Sequence, residues 1–154
     1  MAERTSSGSG VREDRMLATS RLIDAPRQRV WDAFGHPAQL AKWWGPNGFT
    51  NTFQEFDFRP GGRWRFVMHG PDGANFPNES VFVEITPPER VIFRHESCPH
   101  FELTITFVDQ GDKTLVGWRQ VFDTAAERER IAKLAVPANE ENLDRLTAHV
   151  LRPR

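Results

Sequence analysis

Between Phe49 and Phe122 apolar side chains recur at every second position, and outside that stretch they recur at three and four. The first period belongs to strands and the second to helices. Alternation puts Trp64, Phe66 and Met68 on one face, as it does Val81, Val83 and Ile85, and Phe101, Leu103, Ile105 and Phe107. Bounded by turn chemistry such as Arg59-Pro60-Gly61 and Gly70-Pro71-Asp72-Gly73, these runs predict strands over 49–58, 62–69, 80–86, 90–96, 100–108 and 114–122. One-sided alternation with short connections means an antiparallel sheet with one covered face.

Before this stretch, residues 16–23 predict a further strand, and Pro26 suits the first turn of a helix capped by Asp24 or Ala25. Val30, Trp31 and Phe34 form that helix's stripe, Gly35 ends it, and a second short helix runs from Pro37 through Leu40, Trp43 and Trp44 to the corner Gly45-Pro46-Asn47-Gly48. After Asp123 the helical period returns: Ile131, Leu134 and Ala135 make one stripe, Pro137 breaks or kinks it, and Leu143, Leu146 and Val150 continue it. Residues 1–15, with Ser6-Ser7-Gly8-Ser9-Gly10, are expected to be a flexible tail, and 16–152 a single domain.

Composition narrows the classes. A chain of 154 residues buries enough surface to hold a core without staples, and its one cysteine, Cys98, excludes an internal disulfide. The net charge of -1, with neither sign gathered in a block, gives no reason to expect nucleic acid or a membrane surface as partner. A cytoplasmic protein is the expectation. There are 12 Phe and 5 Trp but no Tyr, so the aromatic interior has few hydrogen-bonding handles.

The order of elements, with Ala25-Pro26 before Val30-Trp31, Trp43-Trp44-Gly45-Pro46 before Gly48-Phe49-Thr50, and Arg59-Pro60-Gly61-Gly62, resembles the START-like superfamily. Pro88-Glu89-Arg90, the Gly111 to Thr114 turn and Asn142-Leu143-Asp144-Arg145-Leu146 narrow the resemblance to bacterial homologues of activators of heat-shock-protein ATPase. It covers nearly all of the chain from Met16 to Leu151. The resemblance implies an α+β helix-grip fold: a curved antiparallel sheet wrapped around a long C-terminal helix, with two short helices after the first strand. It leaves three uses open. They are binding of a hydrophobic or aromatic small molecule between sheet and helix, a cyclase or dehydratase acting on an aromatic or polyketide-like substrate there, and a co-chaperone-like protein-interaction role in a stress response.

For the binding reading, the expected apolar walls are Trp43, Trp44, Phe66, Met68, Phe93, Phe101 and Trp118, and the expected polar contacts are His95, Gln120 and Asn142. His95 shares a face with Val91 and Phe93 and is the candidate general base, although a lone histidine on such a face is more often a core residue. His69 and Glu79 are candidates for a cavity mouth. His95, Cys98 and His100 fall within one tight turn, where zinc's separated ligand pairs are missing, so neither metal nor cofactor is expected. An exposed Phe or Trp on the outer sheet would leave a homodimer open.

Overall fold

The computed structural model describes residues 13–152; the expected tail therefore lies outside them as far as residue 12. Strand β1 (Met16–Ile23) is followed by helices α1 (Arg27–Gly35) and α2 (Pro37–Trp43). Then come β2 (Thr50–Phe56), β3 (Arg63–His69), β4 (Asn75–Thr86), β5 (Arg90–His95), β6 (Phe101–Gln110) and β7 (Lys113–Phe122). Helix α3 (Ala125–Leu151) closes the chain. The strands make one antiparallel sheet in the order β1-β7-β6-β5-β4-β3-β2, and α3 packs across it beside α1 and α2. The antiparallel sheet with one covered face is what the patterning predicted, and the helix-grip arrangement is what the resemblance implied. No helix among the described residues is long and apolar enough to cross a membrane.

The ends of α3 are made locally. The Thr124 side chain accepts from the Glu127 N–H at 3.0 Å, and Glu127 itself stands in the first turn, where a negative charge suits the helix dipole. At the sheet edge, Arg21 on β1 reaches Glu140 and Asp144 of α3 at 3.0 and 2.7 Å, and Arg128 donates to the Met16 carbonyl at 3.2 Å. Helix side chains thus occupy an edge that would otherwise invite another strand.

Several local expectations are corrected. Val81, Val83 and Ile85 do not share a face: a bulge between Phe82 and Glu84 reverses the alternation. Ser80 and Phe82 are therefore buried, Val83 is exposed, and only Ile85 packs on the core. Strand β4 also begins at Asn75 rather than Ser80. Its ladder with β5 reaches no further than Ser80, and the backbone bonds to that side end at Glu79, so residues 75–78 are an edge where Pro77 is tolerated.

In α3 the helix runs through Pro137 without a break, and Leu134 is 74% exposed. The inner stripe is Ala135, Asn142, Leu143, Leu146 and Val150, and Leu134 lies about 100° from Ala135 around the axis. The first helix begins at Arg27 with Pro26 as its cap, rather than the expected Asp24 or Ala25.

Candidate functional site

The covered face of the sheet carries Trp64 and Phe66 from β3, Phe82 from β4, Val91, Phe93 and His95 from β5, Leu103, Ile105 and Phe107 from β6, and Val116, Trp118, Gln120 and Phe122 from β7. Trp44, just after α2, projects its ring into the middle of this set. Its centroid lies 5.1 Å from Trp64, 6.0 Å from Phe93, 5.6 Å from Trp118, 5.9 Å from Phe34 and 5.5 Å from Trp43. These are contact separations for aromatic rings. The space that the sequence assigned to a ligand is filled in this structure by the indole of Trp44. Trp43 turns the other way, against Phe34, and its Nε1–H donates to the Ala33 carbonyl at 2.8 Å.

The segment that delivers Trp44 is attached by its backbone to α3 and β2. Gly45 has φ +103°, a conformation that calls for glycine; a Cβ there would stand 2.8 Å from the Met68 Cε, the end of a flexible side chain that can move aside. The Gly45 N–H donates to Asn142 Oδ1 at 3.2 Å, and the Asn47 N–H donates to Glu141 Oε1 at 3.0 Å. From β2, the Asn51 side-chain amide donates to the carbonyls of Ala41 and Trp44 at 3.1 and 2.9 Å.

Most of the attachment runs through Arg145. One terminal nitrogen of its guanidinium donates to the carbonyls of Trp44, Gly45 and Pro46 at 3.2, 2.9 and 2.9 Å; the other donates to those of Lys42 and Phe49 at 3.2 and 3.0 Å. Partial burial lowers the Arg145 pKa from its ordinary value, but a guanidinium remains charged. Arg145 had a place in the family motif and no role. The signal that could have given it one is its three-residue spacing from Asn142, which puts both on the helix face turned toward the corner.

Arg145→Ala is expected to lower stability by about 2–3 kcal/mol, the range for hydrogen bonds to a charged group. The accompanying mark is faster hydrogen exchange at the Gly45 and Asn47 amides than at β6 amides. If the urea midpoint shifts but corner and sheet amides change together, Arg145 supports the whole fold rather than the corner.

The expected polar contacts separate into three cases. Asn142 is buried with its carbonyl oxygen committed to Gly45, and Gln120 is buried with Oε1 accepting from Asn139 Nδ2 at 3.1 Å. His95, 6% exposed, stacks on Phe101 at 4.6 Å. Its Nδ1 lies 2.8 Å from the Pro99 carbonyl, and Nε2 lies 2.6 Å from Asn78 Oδ1 and 3.3 Å from the Ser97 hydroxyl. Both ring nitrogens are engaged within the protein, so a base role requires one of these contacts to break.

The companions of His95 in the turn point elsewhere: Cys98 is exposed and His100 faces Asp123 at 3.5 Å. His69 bonds Thr52 and Asn75 on the surface, and Glu79 pairs with Arg63. A concavity of about 350 Å³ lies at the His95 end of the sheet, lined by Arg94, His95, His100, Phe101, Glu102 and Asp123 among others.

Burial lowers the His95 pKa below its ordinary value, outweighing the hydrogen bond to Pro99, which acts the other way. The unfolded chain then binds the proton more tightly than the folded one. Stability from the neutral ring is present above the unfolded value, about 6.5, and is lost as pH falls through it. The urea midpoint of the protein is expected to fall between pH 7.5 and 5.5, and less steeply in His95→Gln. Equal slopes would show that His95 does not set this dependence; His149, whose pKa burial also lowers, is the next candidate.

Four buried side-chain atoms have no hydrogen-bond partner among the described residues: Trp64 Nε1, Trp118 Nε1, Ser80 Oγ and Asn51 Oδ1. Sequence reasoning placed Trp118 in the wall and Trp64 on the same face as Phe66, but gave neither indole nitrogen a part. The expected common face of Val81, Val83 and Ile85 left no place on the inner side for Ser80, because the bulge was not foreseen.

Comparison with known proteins bears on the whole of this unit. The family model described as Activator of Hsp90 ATPase homolog 1-like protein matches residues 24–150. A crystal structure from Nitrosomonas europaea superposes with TM-score 0.82 at 22% identity, covering 90% of this chain and 96% of the other. A solution structure from Arthrobacter aurescens gives 0.85 at 22% identity, covering 92% and 88%. The AHSA1-like protein of Aeromonas hydrophila gives 0.71 at 20% identity, covering 90% and 97%. At such identities the likeness is one of fold. No curated protein matches the chain.

Proposed function

This chain belongs to the Activator of Hsp90 ATPase homolog 1-like family, and on that premise we propose that it binds a hydrophobic or aromatic small molecule between the sheet and α3. The observation that carries this reading is the position of Trp44. A core needs apolar filling, but it does not need its central ring on the residue that caps a short helix and leads into a turn with two positive-φ glycines, Gly45 and Gly48. A ring mounted in that way can leave while the sheet and helix stay in place. A ligand of similar size then replaces it against Phe93, Trp64 and Trp118, with Phe66 and Met68 toward the β3 side.

The interior favours such an exchange chemically. The walls around Trp44 are rings, so a flat apolar molecule regains the contacts that the indole gives up. The closed form lowers the apparent affinity by the fraction of time the corner is open. This accounts for a site that binds a ligand and stays dry without one.

Naphthalene titrated into the protein, with tryptophan emission as the signal, is the test. Saturable quenching together with faster exchange of the Gly45 amide is expected, since that amide is held by Asn142 only when the corner is closed. An unsaturable response, and no compound released by organic extraction of the purified protein, would remove the basis for the reading.

A further inference from the structure

We infer that the ligand of this site carries a neutral hydrogen-bond acceptor, a carbonyl or ether oxygen on an otherwise apolar ring system, and that Trp64 Nε1 and Trp118 Nε1 donate to it. The inference rests on the binding reading above and specifies the chemistry of its ligand.

The argument begins with a cost. The large majority of buried side-chain polar atoms in folded proteins have a partner, and an indole N–H removed from water without one is destabilising. Trp64 is 0% and Trp118 3% exposed, and neither Nε1 has a partner among the described residues. Phenylalanine would fill most of the same volume without that penalty. The contrast with Trp43 is internal to the molecule: there the Nε1–H is spent on the Ala33 carbonyl, as a structural tryptophan's usually is.

The two rings that carry the unspent donors also meet at one place. Trp64 and Trp118 stand on β3 and β7, well apart in the sheet, yet both are in ring contact with Trp44, at 5.1 and 5.6 Å. A molecule that takes the place of the Trp44 ring therefore touches both. A third unpartnered group, the Ser80 hydroxyl, belongs to the residue directly opposite Trp64 in the β3–β4 register.

The surroundings decide the sign of the acceptor. Trp64 is ringed by Phe34, Trp44, Phe53, Phe66, Phe82 and Phe93. A carboxylate or phosphate pressed into that setting would lose its hydration with no cation to replace it. The guanidinium that holds the Trp44 corner, that of Arg145, is spent on five backbone carbonyls. Indole donors are suited to a neutral acceptor, because they offer one directed N–H each and no net charge.

The test compares 1-tetralone with tetralin, which share a two-ring frame and differ in the carbonyl. Affinities come from tryptophan fluorescence, and the 5 indole N–H signals are followed by two-dimensional NMR. The expected result is tighter binding of the tetralone by at least about fivefold, roughly the worth of one net hydrogen bond. The Trp64 and Trp118 indole protons should move downfield with tetralone and not with tetralin. Trp118→Phe and, where it folds, Trp64→Phe should lose part of the tetralone-over-tetralin preference, read as the ratio of the two affinities within each variant.

Equal affinities with unmoved indole protons would overturn the acceptor subsite and leave the binding reading standing. Binding of neither compound would overturn both. The NMR arm uses the unmodified protein, so it decides the matter even if both variants fail to fold.

Discussion

Trp44→Ala is expected to unfold at a lower urea concentration than the parent and yet to bind indole more tightly. Removing a buried tryptophan costs about 3–5 kcal/mol, from lost burial plus the cavity left behind. Trp44 is 8% exposed and its ring touches rings on three strands and both short helices, so nothing nearby can collapse into the gap without breaking other stacks. The cavity has the shape of the side chain removed, and free indole restores it.

Binding to the folded state alone raises stability by RT ln(1 + [L]/Kd), so the urea midpoint of the variant should climb with indole concentration while the parent's moves less. Across a series of neutral aromatics, parent and variant should rank the compounds in one order, with the parent weaker by a constant factor for opening its corner. Different orders would mean that the parent binds elsewhere. No stabilisation of the variant by indole would mean that the space between sheet and helix is not a ligand site at all.

That the central ring comes from the corner was only half legible in the sequence. Alternation identified the inner faces of β3, β5, β6 and β7, because those strands are regular and have one side covered. It failed on β4, where a single extra residue near Val83 reverses inside and outside, and nothing in Ser80-Val81-Phe82-Val83 announces a bulge. The double tryptophan was recognisable as a corner wall from its glycines. Which of the two points inward depends on how α2 meets the sheet, which is tertiary information.

The polar contacts were legible as residues and illegible as roles. Asn142 and Gln120 were expected inside and are buried, but each spends its carbonyl oxygen within the protein, on Gly45 and on Asn139. His95 was expected on the inner face and is there, with both nitrogens engaged. Two of the unspent donors belong to tryptophans, whose nitrogen is easily overlooked when the residue is counted as apolar wall. Finding them required knowing which N–H groups had already met a carbonyl.

Gly62→Ala is expected to be the most damaging single methyl addition in the chain, and its neighbour Gly61→Ala one of the milder. The turn between β2 and β3 is bound on both sides: Gly61 N–H donates to the Phe82 carbonyl at 2.7 Å, Phe82 N–H donates to the Gly62 carbonyl at 2.9 Å, and Asp57 N–H donates to the Arg63 carbonyl at 2.9 Å. A Cβ on Gly62 would fall inside the contact radius of the Asp57 carbonyl oxygen, and backbone on both sides prevents either from yielding. Relief means shifting β2 against β3, which also disturbs Phe56, Trp64 and Phe82 where their rings meet.

The loss should exceed about 4 kcal/mol, in the range reserved for such named failures. At Gly61 a Cβ meets nothing within 4 Å, and the cost is only that of holding φ at +84°. That is about 1–2 kcal/mol for alanine and less for asparagine, which tolerates this region. Urea midpoints of Gly61→Ala, Gly61→Asn and Gly62→Ala therefore separate two reasons for one dipeptide, conformation at the first glycine and space at the second. Similar midpoints for the two alanine variants would show that the β2–β3 turn is looser than its hydrogen bonds imply, and that Trp64 is held in place by its ring contacts instead.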